Sequence, residues 1–210
     1  MRDEQIENVA SQLYSPEMPY HNFGHVCYVL EKSEEIIRKC RQENVPLDES
    51  VVYYALLFHD AGYHEDHTKK GFDSKEAYSA YLAERDLQQA GKSKEMIDRV
   101  KTAILSTHCD AHCYSNEDKA VRAADLSGLA ADYAIFKKNT VDLKKEFEMM
   151  SGTRLAWDEW KIMGYERIGL FLKEDMALTS DYFDKNGNSV FIARTQNNLK
   201  ALMADGVIQT

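Results

Sequence analysis

Residues 48–60 read DESVVYYALLFHD, and this segment decides how the rest of the chain is interpreted. Asp48 is a favourable N-terminal cap for a helix, and every residue from Val51 to Phe58 is apolar. A helix that is apolar on all sides belongs in the interior of a protein. The β-branched and aromatic residues would also suit a strand, but no neighbouring segment offers a partner strand. We therefore predict a central buried helix that ends at the polar pair His59-Asp60.

Helical periodicity extends on both sides of this segment. It predicts helices over 3–14, 23–43, 74–90, 93–105, 117–130, 132–151, 155–173 and 190–204. Residues 61–73 are polar and predict a loop, and Asn186-Gly187 predicts a turn between short extended pieces. The prediction is an all-α fold with a single domain over residues 1–210, a core at about 19–150 and a C-terminal helical extension at about 155–205.

Composition excludes several classes of protein. Lys and Arg number 26 against 35 Asp and Glu, so the net charge is −9, and no basic block is present to bind nucleic acid. No apolar run approaches the ~18–20 residues of a membrane span, and residues 1–5 contain no apolar segment of a secretory signal. We expect a cytoplasmic protein without a membrane partner, in which the thiols of Cys27, Cys40, Cys109 and Cys113 are reduced.

Polar residues interrupt the apolar pattern at three places: the run Tyr20-His21-Asn22-Phe23-Gly24-His25, the pair His59-Asp60, and Asp125 in an Ala- and Leu-rich helix. If a helix begins at His21, then His21 and His25 lie on one of its faces. Polar groups inside apolar helices are costly unless they are paired or bound to a cation. Each has an ordinary alternative, such as a surface ion pair, a helix cap or a loop histidine packed on Tyr20. The order His, His-Asp, Asp across three helices favours a metal site.

This order resembles the HD-domain superfamily of metal-dependent phosphohydrolases, and within it a small bacterial branch of predicted metal-dependent HD phosphohydrolases. The resemblance implies an HD-type helical bundle with a central buried metal site, in which His25, His59, Asp60 and Asp125 ligate one divalent ion. The ion would be Mn, Mg, Fe, Co, Ni or Zn, and the resemblance leaves room for a second metal. The matching features run from about residue 19 to 200: Pro19-Tyr20-His21-Asn22, His25, Phe58-His59-Asp60, Tyr63, Glu76, Ser79, Thr107-His108, Ala124-Asp125-Leu126, Ala193-Arg194 and Asn198-Leu199.

The run from Tyr20 to His25 is also similar to that of cyclic-nucleotide phosphodiesterases, which share the HD helical core. The first His of that run is the general acid in those enzymes, and the second is a ligand. This similarity implies that His21 protonates the leaving oxygen, a role that suits imidazole because it titrates near neutral pH. The segment from Ala61 to His67 departs from those enzymes, so a cyclic-nucleotide substrate is not implied.

Roles are less definite for other polar residues. Glu76 either orients the attacking water or acts as a base, or it is an ordinary first-turn residue after the cap Ser74. His64 and His108 could hold a second metal or contact the first ligands, and His67 and His112 are open between such roles and solvation. The segment from His108 to Cys113 contains His and Cys residues, which are common zinc ligands. They all lie in one short segment, whereas structural zinc sites usually draw on two separated pairs of ligands.

Arg194 could contact phosphate or form a structural ion pair, and no substrate-binding residue is assigned. The aromatic residues of the C-terminal part are expected in the core or on a dimer surface, so a homodimer is left open: Tyr133, Phe136, Phe147, Trp157, Trp160 and Phe171.

The leading functional hypothesis is hydrolysis of a small phosphate ester, a nucleotide or another phosphorylated metabolite, with mono- and diesterase action both open. One alternative is a di-iron HD-fold oxygenase, which would need additional ligands from His64, His67, His108 or His112. The other is a non-catalytic module that senses a metal or a nucleotide.

Overall fold

The computed structural model describes residues 2–173 and 175–206. The regular secondary structure of these residues consists of helices. The α-helices are α1 (Glu4–Ser11), α2 (Phe23–Gln42), α3 (Glu49–Phe58), α4 (Lys75–Gln89), α5 (Lys94–Leu105), α6 (Asn116–Asp125), α7 (Tyr133–Ser151), α8 (Trp157–Phe171) and α9 (Val190–Ala204). Two 3-10 turns cover Leu126–Ala130 and Ser180–Tyr182. The predicted all-α fold is confirmed; residues 1, 174 and 207–210 of the predicted domain lie outside the described residues.

The extended pieces predicted around Asn186-Gly187 shrink to one antiparallel bridge between Phe183 and Ser189. Gly187 supplies the positive φ of 81° that this turn requires. No strand forms within the described ranges, and no helix there combines the length and apolar character needed to cross a bilayer.

Helix α3 lies at the centre of the protein, as its sequence predicts. Val51, Leu56, Leu57 and Phe58 have no exposed surface, and α3 packs against α1, α2, α4, α5 and α6. Contacts on every side explain why this helix has no polar face. The polar pair His59-Asp60 therefore comes directly after a fully enclosed helix.

Side-chain caps begin each of the helices from α2 to α6. The capping residues accept hydrogen bonds from backbone N–H groups of the first turn, and they are Asn22, Asp48, Ser74, Ser93 and Ser115. Asp132 and Ala156 occupy the cap positions of α7 and α8, and their side chains accept no such bond. The helices of the core are thus specified at their starts by local sequence, whereas α7 and α8 depend more on packing.

A second, smaller cluster holds the C-terminal helices together through Phe136, Trp157, Leu199 and Leu202. The side-chain amide of Asn198 donates to the carbonyls of Leu129 and Ala131, both at 2.9 Å, and so fastens α9 to the 3-10 turn after α6.

Helix α2 has the predicted start, and one other predicted helix is shorter than expected. Helix α2 begins at Phe23, because Asn22 caps it and also donates to the Met18 carbonyl at 2.8 Å, so His21 precedes the helix. The predicted helix 117–130 is α-helical only to Asp125 and then tightens into a 3-10 turn. Ser127 and Gly128 are weak helix formers, and this explains the change. Asp125 therefore lies at the end of a helix, where its side chain can reach across to α2 and α3.

Candidate metal centre

Four side chains from three helices converge at the centre of the protein. His25 comes from the first turn of α2, His59 and Asp60 directly follow α3, and Asp125 ends α6. His25 Nε2 lies 3.3 Å from Asp125 Oδ1 and 3.3 Å from His59 Nε2. His59 Nε2 lies 2.9 Å from Asp60 Oδ2 and 3.4 Å from Asp125 Oδ1. One nitrogen or oxygen of each side chain lies within 4.8 Å of the other three, and we call this group the four-residue cluster.

The cluster fits a single divalent cation. First-row metals bind N and O ligands at ~2.0–2.2 Å, so adjacent ligand atoms in a tetrahedral or octahedral shell lie about 3.0–3.5 Å apart. The four distances given above and the 3.7 Å between His25 Nε2 and Asp60 Oδ2 range from 2.9 to 3.7 Å, which is close to that spacing. Two imidazoles and two carboxylates are also donors that such metals accept. The four-residue cluster could therefore hold one metal ion.

Hydrogen bonding sets the tautomer of His59. Its Nδ1 lies 2.8 Å from the carbonyl oxygen of Leu56, and because a carbonyl only accepts, Nδ1 must carry the hydrogen. In the neutral ring, Nε2 then presents its lone pair to the cluster. The ring is almost completely buried, so the surrounding helix holds it in this orientation before any ligand arrives.

The acidic residues of the cluster are ionised at neutral pH. Burial alone would raise the pKa of Asp60, but the nearby rings of His59 and His21 outweigh it and lower that pKa to about 2. Burial opposes ionisation of Asp125 as well, and hydrogen bonds with His25 and His59 lower its pKa below the usual value. Burial lowers the pKa of His25, so that ring favours its neutral, ligand form. Partly buried carboxylates of this kind attract a cation, either a proton on His59 or a metal ion.

The turn after His59-Asp60 requires a glycine. Gly62 has a φ of 72°, and a Cβ atom at this position would fall 2.6 Å from Cε1 of Tyr78. Its N–H donates to the Leu13 carbonyl at 2.9 Å, and the Ser79 hydroxyl donates to the Ala61 carbonyl at 2.9 Å. These bonds anchor the chain directly after the ligand pair and limit its movement.

Glu146 is a site residue that the sequence did not reveal. This buried carboxylate of α7 accepts the backbone N–H groups of Tyr20 at 3.0 Å and His21 at 2.8 Å, and it pairs with Nδ1 of His21. Burial favours its neutral form, but the contacts with His21 and the backbone N–H groups prevail and lower the pKa of Glu146. Helix α7 carries several Lys, Asp and Glu residues, and no local pattern separates Glu146 from the others.

Glu146 and Tyr63 together orient the ring of His21. The Tyr63 ring stacks on it with centroids 3.7 Å apart and an interplanar angle of 19°. The ammonium of Lys75 lies 3.3 Å from the centroid of Tyr63. With Nδ1 held by Glu146, the other nitrogen, Nε2, lies 4.0 Å from Oδ2 of Asp60. His21 is therefore fixed beside the four-residue cluster although it lies outside helix α2.

A cavity of about 270 Å³ adjoins the cluster. His21, Asp60, Asp125 and Glu76 line it, and Arg167 of α8 reaches it from an exposed position. Glu76 thus faces the same space as the cluster, although it lies outside the group of four. Arg167 is a second residue that the sequence did not reveal.

The remaining sequence candidates lie elsewhere. Within the described residues, none of His64, His67, His108 and His112 belongs to the four-residue cluster, and His108 instead groups with Cys109 and Asp110. His64 is exposed. Arg194 lines a separate surface groove and forms no ion pair in the described part of the chain.

No family model matches this chain, and no curated protein matches it. The function of this protein is therefore inferred from the geometry of the site.

Proposed function

We propose that this protein is a metal-dependent hydrolase of small phosphate esters, of the HD type that its motifs resemble. The observation that carries the proposal is the convergence of His25, His59, Asp60 and Asp125 at the wall of a cavity, with the His21–Glu146 pair beside them. A divalent cation held by these four residues would polarise a phosphoryl oxygen and lower the pKa of a water molecule that attacks phosphorus.

His21 is the proposed general acid. Glu146 accepts the hydrogen on Nδ1 and orients the ring, as a carboxylate does for a catalytic imidazole. The proton on Nε2 is then available to the leaving oxygen of an ester in the cavity. The position of Nε2 near Asp60 supports this role, because the ester oxygen must lie close to the metal ligands.

Charged residues around the cavity support an anionic substrate. The guanidinium of Arg167 suits a phosphate oxygen, and the ammonium of Lys75 lies behind the Tyr63 ring. Glu76 is the remaining carboxylate of the cavity wall, and we assign it the orientation of the attacking water. The substrate would be a small phosphorylated compound of the cytoplasm; nucleic acid is not a proposed partner.

The placement of the other histidines weighs against the di-iron alternative. A second iron would need ligands from His64, His67, His108 or His112, and in the described ranges none of these joins the four-residue cluster. The sensor alternative uses the same four ligands and differs only in lacking turnover, so an activity measurement separates the two.

Metal analysis followed by a substrate panel tests the proposal. Protein purified without added metal is analysed by plasma mass spectrometry and then supplied singly with Mn²⁺, Mg²⁺, Co²⁺, Ni²⁺, Zn²⁺ or Fe²⁺. We expect about one bound metal per chain and release of phosphate, or of the second alcohol, from some mono- or diesters. Metal binding without hydrolysis of any ester would overturn the enzymatic proposal, and oxygen consumption by the iron form would favour the oxygenase.

A further inference from the structure

The two walls of the cavity differ in chemistry. The wall next to the cluster is polar and carries His21, Asp60, Glu76 and Asp125. Helices α7 and α8 form a second wall, to which they contribute the apolar side chains Phe136, Leu143, Ile168 and Phe171 together with Asn139, Thr140 and Arg167. A substrate that spans the cavity would therefore place its phosphoryl group at one wall and its organic group at the other.

Gly164 of α8 leaves open space in the apolar wall. It lines the cavity, and a Cβ atom built on it would meet no other atom within 4 Å. A glycine in the middle of a helix costs about 1 kcal/mol relative to alanine, so this position carries a cost in helix stability. Gly169 of the same helix is equally open, but it is exposed and does not line the cavity. The pair offers a natural comparison between a cavity-facing and a solvent-facing glycine.

Two polar groups that make no hydrogen bond within the described chain line the cavity beside Gly128. A Cβ atom on Gly128 would fall 2.9 Å from Nδ2 of Asn139 and 3.9 Å from the hydroxyl of Tyr20. Neither the Asn139 amide nor the Tyr20 hydroxyl makes a hydrogen bond within the described chain, and both residues line the cavity. They can serve one polar group of a substrate. Arg167 lies one turn from Gly164 on the same helix and adds one charge to this wall, whose other α8 side chains at the cavity, Ile168 and Phe171, are apolar.

From these features we infer that the α7–α8 wall binds the organic group of the substrate, and that this group is compact and apolar, of about the size of one ring. The inference rests on the proposed phosphohydrolase function and names its substrate class. A volume of about 270 Å³ is below the ~300–1,000 Å³ of sites for drug-sized ligands, and it must also hold the phosphoryl group. Several hydroxyl groups of a sugar would lose their hydration against this wall without gaining partners.

Phosphate esters of matched primary alcohols test the inference without large differences in the leaving group. We expect kcat/KM for 2-phenylethyl phosphate to exceed that for glucose 6-phosphate by roughly 10–100-fold, as burial of one apolar ring allows. Gly164→Leu should lower kcat/KM for 2-phenylethyl phosphate by roughly 10-fold or more, because the new side chain occupies the space of the ring. The loss for ethyl phosphate should be several-fold smaller than the loss for 2-phenylethyl phosphate, because the ethyl group does not fill that space.

Gly169→Leu is the matched control, because it makes the same change in the same helix but faces solvent. It should alter neither substrate, and circular dichroism should show that both variants are folded. If Gly164→Leu does not fold, Gly164→Ala should still produce a smaller loss that is selective for the phenylethyl ester. Equal losses in the 164 and 169 variants, or a parent protein that prefers glucose 6-phosphate, would overturn the inference.

A failure of the proposed function gives a different result. If the parent protein hydrolyses none of these esters, calorimetry with its Mn²⁺-loaded form can compare 2-phenylethylphosphonate with ethylphosphonate. Tighter binding of the phenylethyl compound that is lost in Gly164→Leu, but not in Gly169→Leu, would support the apolar wall. Equal binding of both phosphonates by the parent protein would overturn it.

Discussion

The helices that carry the four-residue cluster and the helices that close the cavity are built differently. Helices α2 to α6 all begin with side-chain caps and surround a cluster of 26 buried residues to which α1 also contributes. Helices α7 to α9 share a buried cluster of four residues, and α7 and α8 start without side-chain caps. Helix α8 also exposes Ile162, Met163 and Tyr165. The ligand-bearing helices are therefore held by many buried contacts, and the apolar wall by few.

This difference matches what each part must do in the proposed reaction. Metal ligands need fixed positions, because bonds of ~2.0–2.2 Å tolerate little displacement. A wall that binds an apolar group needs only approximate complementarity, since the hydrophobic effect is not directional. Glu146 is the exception, because it comes from α7 and yet orients His21 beside the cluster. The two parts of the molecule are coupled through this carboxylate.

Removal of a ligand should have the largest effect. We expect Asp60→Ala to abolish metal binding and activity while the helical fold persists, because the ligands sit on helices that pack without the metal. Bound-metal content and circular dichroism measure the two effects. Asp73→Ala changes an exposed carboxylate outside the cluster and should retain both metal and activity. Stoichiometric metal in Asp60→Ala would exclude Asp60 as an essential ligand.

The next effect concerns the coupling between the two parts. His21→Ala should preserve metal content and slow hydrolysis of alkyl esters by ~10²–10⁴-fold, the range for general acid catalysis. The loss should be much smaller for nitrophenyl esters, because their leaving group needs no proton. Equal losses for both kinds of ester, accompanied by loss of metal, would instead make His21 a ligand.

Glu146→Gln should reproduce part of the His21→Ala effect. The amide oxygen of the glutamine can still accept the backbone N–H groups of Tyr20 and His21, but the negative charge beside the His21 ring is lost. We expect a smaller, leaving-group-dependent loss of kcat, measured on the same two kinds of ester. Glu148→Gln in the same helix is the control, because Glu148 contacts Lys144 and not His21. Unchanged turnover in Glu146→Gln would separate α7 from the chemistry.

A third effect compares packing in the two parts. Leu57→Ala in α3 should lower the free energy of unfolding by about 2–5 kcal/mol, as for other fully buried leucines. Leu170→Ala in α8 makes the same chemical change at a half-buried position and should cost about 1 kcal/mol. Chemical denaturation measures both. Similar losses would show that α8 is packed as tightly as α3.

The smallest effect should come from supplying the cap that α8 lacks. Ala156 is exposed and has an extended backbone conformation, with φ −64° and ψ 154°, that suits a capping residue. Ala156→Ser should stabilise the start of α8 by about 0.5–1 kcal/mol. Slower amide hydrogen exchange in α8, with unchanged exchange in α3, would confirm this. Unchanged exchange in α8 would mean that its opening does not begin at this end.

The sequence predicted most of the fold because helices are specified by local patterns. Caps such as Asp48 and Ser74, and stops such as Gly91 and Gly152, lie next to the helices they delimit. The prediction was weaker where a turn competes with a helix, because Ser127-Gly128 converts the end of a predicted helix to a 3-10 turn. Helix α2 begins at Phe23 as predicted, and its cap Asn22 leaves His21 outside the helix.

By itself, the sequence predicted the helical class and the central position of α3, and both depend on residue type and on spacing along the chain. The resemblance of its motifs to the HD-domain superfamily implied the four residues that could hold a metal. Only the tertiary structure decided that Glu146 holds His21, that Glu76 and Arg167 share a cavity with the cluster, and that Arg194 lies elsewhere. Glu146 and His21 are 125 residues apart, and a charged residue on an amphipathic helix looks the same whether it meets water or a distant imidazole. Packing of α7 and α8 against the core makes that distinction, and no local pattern encodes it.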